Sequence, residues 1–137
     1  MKLLLSAVVL LAAATSMTSY ASEDAEQVFN QLCGSCHVTS GKPTIAPPVV
    51  GMVDHVRAAY PAKEDFVERI VAWVANPNAD DALMPGAVRK FGVMPKLPYE
   101  PAKVRLVAEY LYDGNRELPE WYVEHYEEEH GKKPKAH

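Results

Sequence analysis

Apolar residues recur every three or four positions in three stretches of the chain, which is the spacing of one face of an α-helix. In the middle stretch, EDFVERIVAWVA, Phe66 and Ile70 are four positions apart, Trp73 or Val74 continues the repeat, and Pro77 stops the helix. The three predicted helices cover residues 24–32, 64–75 and 100–112.

The segments between these helices lack that spacing. Residues 38–61 are rich in Gly, Pro, Thr and Ser, which predicts a long irregular loop, and residues 76–99 form a second irregular region in which 87–91 is a candidate short helix. LPEWYVEHYEEEHG predicts one further short helix that starts near Pro119. The sequence therefore predicts an all-α fold of three to four helices with long loops. So few helices make a thin core, and a cofactor at the centre would complete it.

The N-terminal segment, positions 1–21, has a different pattern from the rest of the chain. Lys2 precedes an apolar run over residues 3–14, and small residues follow at Ser19 and Ala21, which is the layout of a cleaved secretory signal. The run is short for an uncleaved membrane anchor, which needs roughly 20 apolar residues. We therefore expect a signal peptide at 1–21, a periplasmic location and no membrane span after cleavage.

Charge and cysteine content narrow the functional classes. Removal of the predicted signal deletes one lysine and no acid, so that the formal net charge goes from −4 to −5. A chain of this charge is a poor nucleic-acid binder. Outside the cytosol, cysteines are normally oxidised or bound to a cofactor. The chain has two cysteines, and both lie in the pentapeptide CGSCH at residues 33–37.

Three chemistries use the spacing of CGSCH. A thioredoxin-like pair should follow a strand within a βαβ pattern, but here a predicted helix precedes the pair and a proline-rich loop follows it. A structural zinc site needs four ligands, usually with a second closely spaced pair, and no other residue completes such a site near Cys33. C-x-x-C-H is also the signature of covalent haem attachment. This third interpretation fits an exported chain without further cysteines.

Each residue of the pentapeptide has a function in haem attachment. Cys33 and Cys36 are close enough on one turn to form thioethers with the two vinyl groups of a haem. His37 then lies under the iron, where a ring nitrogen becomes the proximal ligand. Gly34 and Ser35 are small and keep the turn clear of the porphyrin.

With this motif at the end of the first predicted helix, the chain resembles the monohaem class I c-type cytochromes of bacteria. The resemblance covers roughly residues 23–113 and implies the cytochrome c fold, in which helices and long loops wrap around one covalently bound haem c. It divides the mature chain into a cytochrome domain at 22–113 and a C-terminal extension at 114–137. In the extension we expect a short acidic helix, with Trp121 and Tyr122 packed onto the body, and a basic end.

The resemblance also implies a methionine as the distal iron ligand, in a Met-Pro turn that precedes a signature aromatic residue of the last helix by a characteristic interval. Met94-Pro95 precedes Tyr110 by that interval, whereas Met84-Pro85 is too far from Tyr110 for the usual loop. We therefore assign Met94 as the ligand and keep Met84 as the alternative. A histidine ligand and an open sixth position are the remaining options.

Two further site residues follow from the resemblance. The family holds its proximal histidine by a hydrogen bond to the carbonyl of a loop proline in a pattern like GPxxxG, and APPVVG matches this pattern with Pro47 as the best fit and Pro48 as the alternative. Trp73 matches a position that faces the haem, although an ordinary core position explains it equally well. Phe29 and Tyr110 match an aromatic contact between the first and last helices of the family.

A haem iron with histidine and methionine ligands is six-coordinate, so it can exchange an electron but has no position for a substrate. The resemblance therefore implies an electron carrier that is not an enzyme and that exchanges electrons with redox partner proteins. One alternative is a haem-bearing subunit of a larger oxidoreductase. Another is a catalytic or gas-binding haem protein with an open sixth position. Such an enzyme should carry a distal His/Arg pair, but no histidine lies between His55 and His125.

Basic residues cluster around the assigned methionine. Between residues 89 and 105 there are five of them against Glu100 alone, and they could steer the protein toward acidic patches on its partners. An ordinary solvated surface explains the same charges. The five residues are Arg89, Lys90, Lys96, Lys103 and Arg105.

Overall fold

The structure is a computed structural model that describes residues 24–41, 43, 45–114 and 117–134. The predicted signal peptide lies outside the described residues. Every regular element within them is a helix, so the prediction of an all-α protein is confirmed. None of the helices in this part of the chain is long and apolar enough to cross a membrane. The helices are α1 (Ala25–Leu32), α2 (Val49–Ala59), α3 (Lys63–Ala75), α4 (Pro85–Phe91), α5 (Pro101–Asp113) and α6 (Glu120–His130).

The three helices with the clearest apolar repeat, α1, α3 and α5, form where the sequence predicts them. α1 begins after Asp24, whose carboxylate accepts a hydrogen bond of 3.0 Å from the backbone N–H of Glu26. α3 has Glu64 and Asp65 in its first turn, beside the positive end of the helix dipole. α5 begins at Pro101, whose missing N–H is no loss in a first turn.

The prediction of an irregular loop over residues 38–61 is wrong for its second half, which forms α2. Val49, Val53 and Val56 repeat at helical spacing and are buried, and Pro48 precedes the first turn. The prolines and glycines around this repeat hide it. Because valine and glycine are weak helix formers, burial of one face stabilises α2 rather than intrinsic propensity.

The number of helices in the described residues is also larger than predicted, with six instead of three or four. α4 contains the candidate short helix 87–91 and begins earlier, at Pro85. α6 starts after Pro119, as predicted, and is followed by Gly131 with a φ of 66°. The sequence only hints at α4 because so short a helix contains few repeats of an apolar pattern.

The core lies mainly between α3 and α5, and α1 packs on α5 beside it. The ring centroids of Phe29 and Tyr110 are 6.1 Å apart, which confirms the predicted aromatic contact between these two helices. The guanidinium carbon of Arg57 lies 4.3 Å from the ring centre of Tyr112, so α2 is joined to α5 as well. The buried apolar residues of the first five helices are Val28, Phe29, Val49, Val50, Val53, Val56, Phe66, Val67, Ile70, Val104, Val107, Ala108 and Leu111.

The C-terminal helix α6 shares this core. Tyr122 is 4% exposed and Trp121 is partly buried beside the same apolar cluster, so the predicted packing of these two side chains onto the body is confirmed. The glutamates at 124 and 127–129 are exposed to solvent. α6 is therefore an acidic helix whose aromatic face is docked.

Candidate functional site

A cavity of about 270 Å³ lies among helices α1 to α5. Ile45 and Val93 line it and are also 62% and 39% exposed, which places them at its rim. The remaining wall is mostly aliphatic and aromatic. All six residues that the sequence assigns to the site line this one cavity, although they are far apart along the chain: Cys33, Cys36, His37, Pro47, Trp73 and Met94.

The turn that carries the cysteines and the histidine continues directly from α1. The N–H groups of Cys33 and Gly34 both donate to the carbonyl of Phe29, at 2.8 and 2.9 Å, and the N–H of His37 donates to the carbonyl of Cys33 at 2.8 Å. A Cβ added at Gly34 would lie 3.1 Å from the Cα of Asn30. The close approach of the turn to α1 therefore favours glycine at this position, a reason that the sequence does not reveal.

His37 is fixed by one hydrogen bond. Its Nδ1 lies 2.8 Å from the carbonyl oxygen of Pro47, so the contact that the resemblance implies is present, with Pro47 as the acceptor. Because Nδ1 donates this bond, Nε2 is the ring nitrogen that can bind a metal. Burial lowers the pKa of His37 and the hydrogen bond to Pro47 partly offsets that effect, so the neutral ring is favoured.

The state of the two thiols bears on the redox interpretation of CGSCH. Both cysteines are free thiols, with Cys33 half-buried and Cys36 exposed. Burial, together with the neighbouring Cys36, raises the pKa of the Cys33 thiol to about 11. Thiol–disulfide enzymes instead lower the pKa of their attacking cysteine.

Over the described ranges, no group of three or more His, Cys, Asp or Glu side chains could hold a metal ion.

The two candidate methionines, Met94 and Met84, both line the cavity. A Cβ built on Gly51, in the first turn of α2, would lie 3.8 Å from Cε of Met84 and 3.7 Å from Cγ of Pro48. The methyl group of Met84 therefore lies beside the first turn of α2, near Pro48. Met94 lies elsewhere, on the extended segment that joins α4 to α5.

Trp73 and Arg69 meet on the face of α3 that lines the cavity. The guanidinium carbon of Arg69 is 5.4 Å from the centre of the Trp73 ring, and the guanidinium also donates to the backbone carbonyl of Asp81. Trp73 is only partly buried, so it belongs to the cavity wall as well as to the helix packing. Arg69, which the sequence analysis did not identify, brings a positive charge to this mostly apolar wall.

Tyr99 is a second lining residue that the sequence did not identify. Its hydroxyl donates a hydrogen bond of 2.7 Å to the carbonyl of Leu32, the last residue of α1. Burial raises the pKa of Tyr99, so this hydroxyl stays protonated and remains a donor. The two residues are 67 positions apart, and no local pattern could reveal the contact. The wall also includes Ile45 and Met52, which the sequence analysis did not assign to the site, and Phe91 of the candidate short helix 87–91.

The chain was also compared with known proteins. No protein-family model matches it, and no solved structure matches it. It is similar to an uncharacterized protein of Aquifex aeolicus (strain VF5), with 24% identity over 111 residues that span 66% of this chain and 73% of that protein. These comparisons assign no family and no activity.

Proposed function

We propose that this protein is a periplasmic electron carrier of the class I c-type cytochrome kind, with the cytochrome c fold around one covalent haem c. The observation that carries the proposal is the 2.8 Å hydrogen bond from His37 Nδ1 to Pro47 at the wall of an apolar cavity. A metal-binding histidine normally donates its second ring N–H in this way. The two cysteines lie on the same turn and line the same cavity.

The residues around the cavity fit a haem. An apolar wall suits a porphyrin, since ligand sites are mostly apolar with a few polar groups that fix orientation. The lining includes the Trp73 and Phe91 rings for the macrocycle. Arg69 supplies a positive charge that is able to pair with a propionate carboxylate.

Attachment uses the thiols of Cys33 and Cys36. Each thiol would add across one vinyl group, with a carbon–sulfur bond at one vinyl carbon and the thiol hydrogen on the other, so that no oxidant or reductant would be consumed. His37 binds through Nε2 while its Nδ1–H remains donated to Pro47. The bound group supplies exchange of one electron, taken from a donor protein and passed to an acceptor protein.

The second axial ligand is Met94 in this proposal. Met84 would be less suited to this role, because its methyl group lies beside Gly51 in the first turn of α2, which follows the proline that holds His37. His37 is the only histidine among the described residues that line the cavity, so this wall carries no distal His/Arg pair. The absence of such a pair favours a closed electron carrier over a catalytic or gas-binding haem protein.

Cationic side chains beside the distal segment favour acidic redox partners. Arg89, Lys90 and Lys96 flank Met94 in sequence. Arg105 contributes less than the sequence suggests, because it forms ion pairs with Glu64 and Glu68 of α3. The partner-facing charge is therefore expected on α4 and the segment that follows it.

The proposal is tested by the optical spectrum of the protein matured in a periplasm with haem-attachment machinery. We expect a covalent, low-spin haem in both oxidation states and the weak far-red band of a methionine–ferric iron bond. A high-spin ferric form that binds carbon monoxide readily once reduced would instead indicate an open sixth position and contradict the carrier.

Met94→Ala and Met84→Ala form a matched pair for the ligand. We expect Met94→Ala to abolish the far-red band and to lower the reduction potential, because a methionine ligand raises it. Met84→Ala should keep the band. The opposite pattern would transfer the assignment to Met84.

A further inference from the structure

One stripe of α6, formed by Tyr122, Tyr126 and His130, lies on the side of α2, outside the cavity. Tyr122 and His130 are two turns apart on α6, and each contacts a residue of α2. The Tyr122 hydroxyl donates to a carboxylate oxygen of Asp54 at 3.3 Å, and the rings of His130 and His55 are 6.4 Å apart. Between them, the tilted ring of Tyr126 has its centroid 6.0 Å from that of Tyr122 and 4.3 Å from that of His130.

Tyr122 contacts the first turn of α2, which directly follows Pro47 and Pro48. Its Cε2 would lie 3.4 Å from a Cβ at Gly51, and Cγ of Pro48 would lie 3.7 Å from the same point. The ring therefore rests against the first turn of α2, beside Pro48. The residue before Pro48 is Pro47, whose carbonyl accepts the hydrogen bond from His37. No residue of α6 lines the cavity itself among those that the structure describes.

We propose that Tyr122 is a positioning residue for His37: by packing on the first turn of α2, it holds the Pro47 carbonyl at hydrogen-bond distance from Nδ1. The inference rests on the proposed function and assigns a function to the C-terminal extension. Tyr122 is 4% exposed, so its aromatic ring has a fixed place against the first turn of α2. The hydrogen bond to Asp54 fixes the far end of the ring.

The electronic consequence follows from the hydrogen bond at Nδ1. A strongly donated N–H makes the imidazole a better electron donor, which stabilises ferric iron and lowers the reduction potential. A loosened Pro47 carbonyl weakens that donation and raises the potential. Because Tyr122 acts through α2 and not on the ring, we expect a modest change, of about threefold in the ferrous-to-ferric ratio at a fixed solution potential, or about 30 mV for a one-electron couple.

The experiment compares three variants of the haem-loaded protein. Tyr122→Leu removes the ring, Tyr122→Phe keeps the ring and removes only the bond to Asp54, and Tyr126→Leu changes the neighbouring position of the same stripe, away from Gly51. Two quantities are measured in native buffer: the reduction potential, and the solvent-exchange rate of the His37 Nδ1 proton by NMR in the ferrous state.

We expect Tyr122→Leu to raise both the potential and the exchange rate, Tyr122→Phe to keep most of the parent behaviour, and Tyr126→Leu to leave both at the parent values. If Tyr122→Leu fails to fold, Tyr122→Met replaces it with the same expectation. Parent values in the ring-deletion variant would overturn the inference. Equal shifts in Tyr126→Leu would do the same, since general loosening would then be the cause. A parent protein without a low-spin haem contradicts the proposed function, whereas a low-spin parent with an unresponsive Tyr122→Leu contradicts this inference alone.

Discussion

The two sides of the cavity are built differently. The side that carries the CGSCH turn belongs to the core: Phe29, which anchors the turn, is 2% exposed, and Val49, just after the two prolines, is 0% exposed. The side that carries Met94 is the segment from 76 to 100, and no residue along that segment is buried. Its helix α4 likewise has no buried residue.

This difference indicates which contacts fix the backbone on each side of the cavity. Backbone hydrogen bonds and core packing, including the packing of Tyr122 on α2, fix the histidine side. On the methionine side, apolar side chains such as Phe91 and Val93 line the cavity, and they gain full burial only against an apolar group placed within it. We therefore expect the histidine side to be rigid and the methionine side to depend on the cofactor for its order.

The largest effect should come from removal of the two cysteines on the histidine side. Cys33→Ala/Cys36→Ala leaves no thiol in the chain, because these are its two cysteines. We expect complete loss of covalently bound haem, measured by haem-dependent peroxidase staining after denaturing electrophoresis. Ser35→Ala, an exposed change in the same turn, is the control and should retain the stain. Staining that survives the double substitution would refute thioether attachment.

The next largest effect concerns stability and contrasts the two sides directly. Phe29→Ala removes a ring that is 2% exposed and should reduce the free energy of unfolding of the haem-loaded protein by about 3–5 kcal/mol. Phe91→Ala removes the same ring from the cavity wall, where the protein itself leaves it partly exposed and only the proposed haem would cover the rest, so the loss should be smaller, about 2 kcal/mol or under. Denaturant titrations measure both values. Equal losses would show that the two sides are equally well packed.

The sequence predicts the structure of the histidine side better than that of the methionine side, for physical reasons. A local motif specifies CGSCH, and strong apolar repeats specify α1, α3 and α5. The fold around Pro47 was only half predicted, because the valine repeat of α2 stands among prolines and glycines that normally mark loops. Arg69 of α3 and Tyr99 of the methionine side could not be found, since each acts through a partner that the chain brings close only on folding.

The smallest effect tests the bond that joins the two sides. The Tyr99 hydroxyl donates to the Leu32 carbonyl at 2.7 Å, which ties the segment carrying Met94 to the end of α1. Tyr99→Phe removes this bond and should cost about 0.5–1.5 kcal/mol of stability. It should also let cyanide displace the methionine from ferric iron faster, because the distal segment has lost an anchor.

A closely matched control exists for this last prediction. The Tyr112 hydroxyl also donates to a backbone carbonyl at 2.7 Å, that of Pro61, but neither residue lines the cavity. Tyr112→Phe should therefore lower the stability by a similar amount and leave the rate of cyanide binding unchanged. If both variants bind cyanide at the same rate, the Tyr99 bond is only a stabilising contact. In that case the mobility of the methionine side is set within residues 76–100 themselves and not by their link to α1.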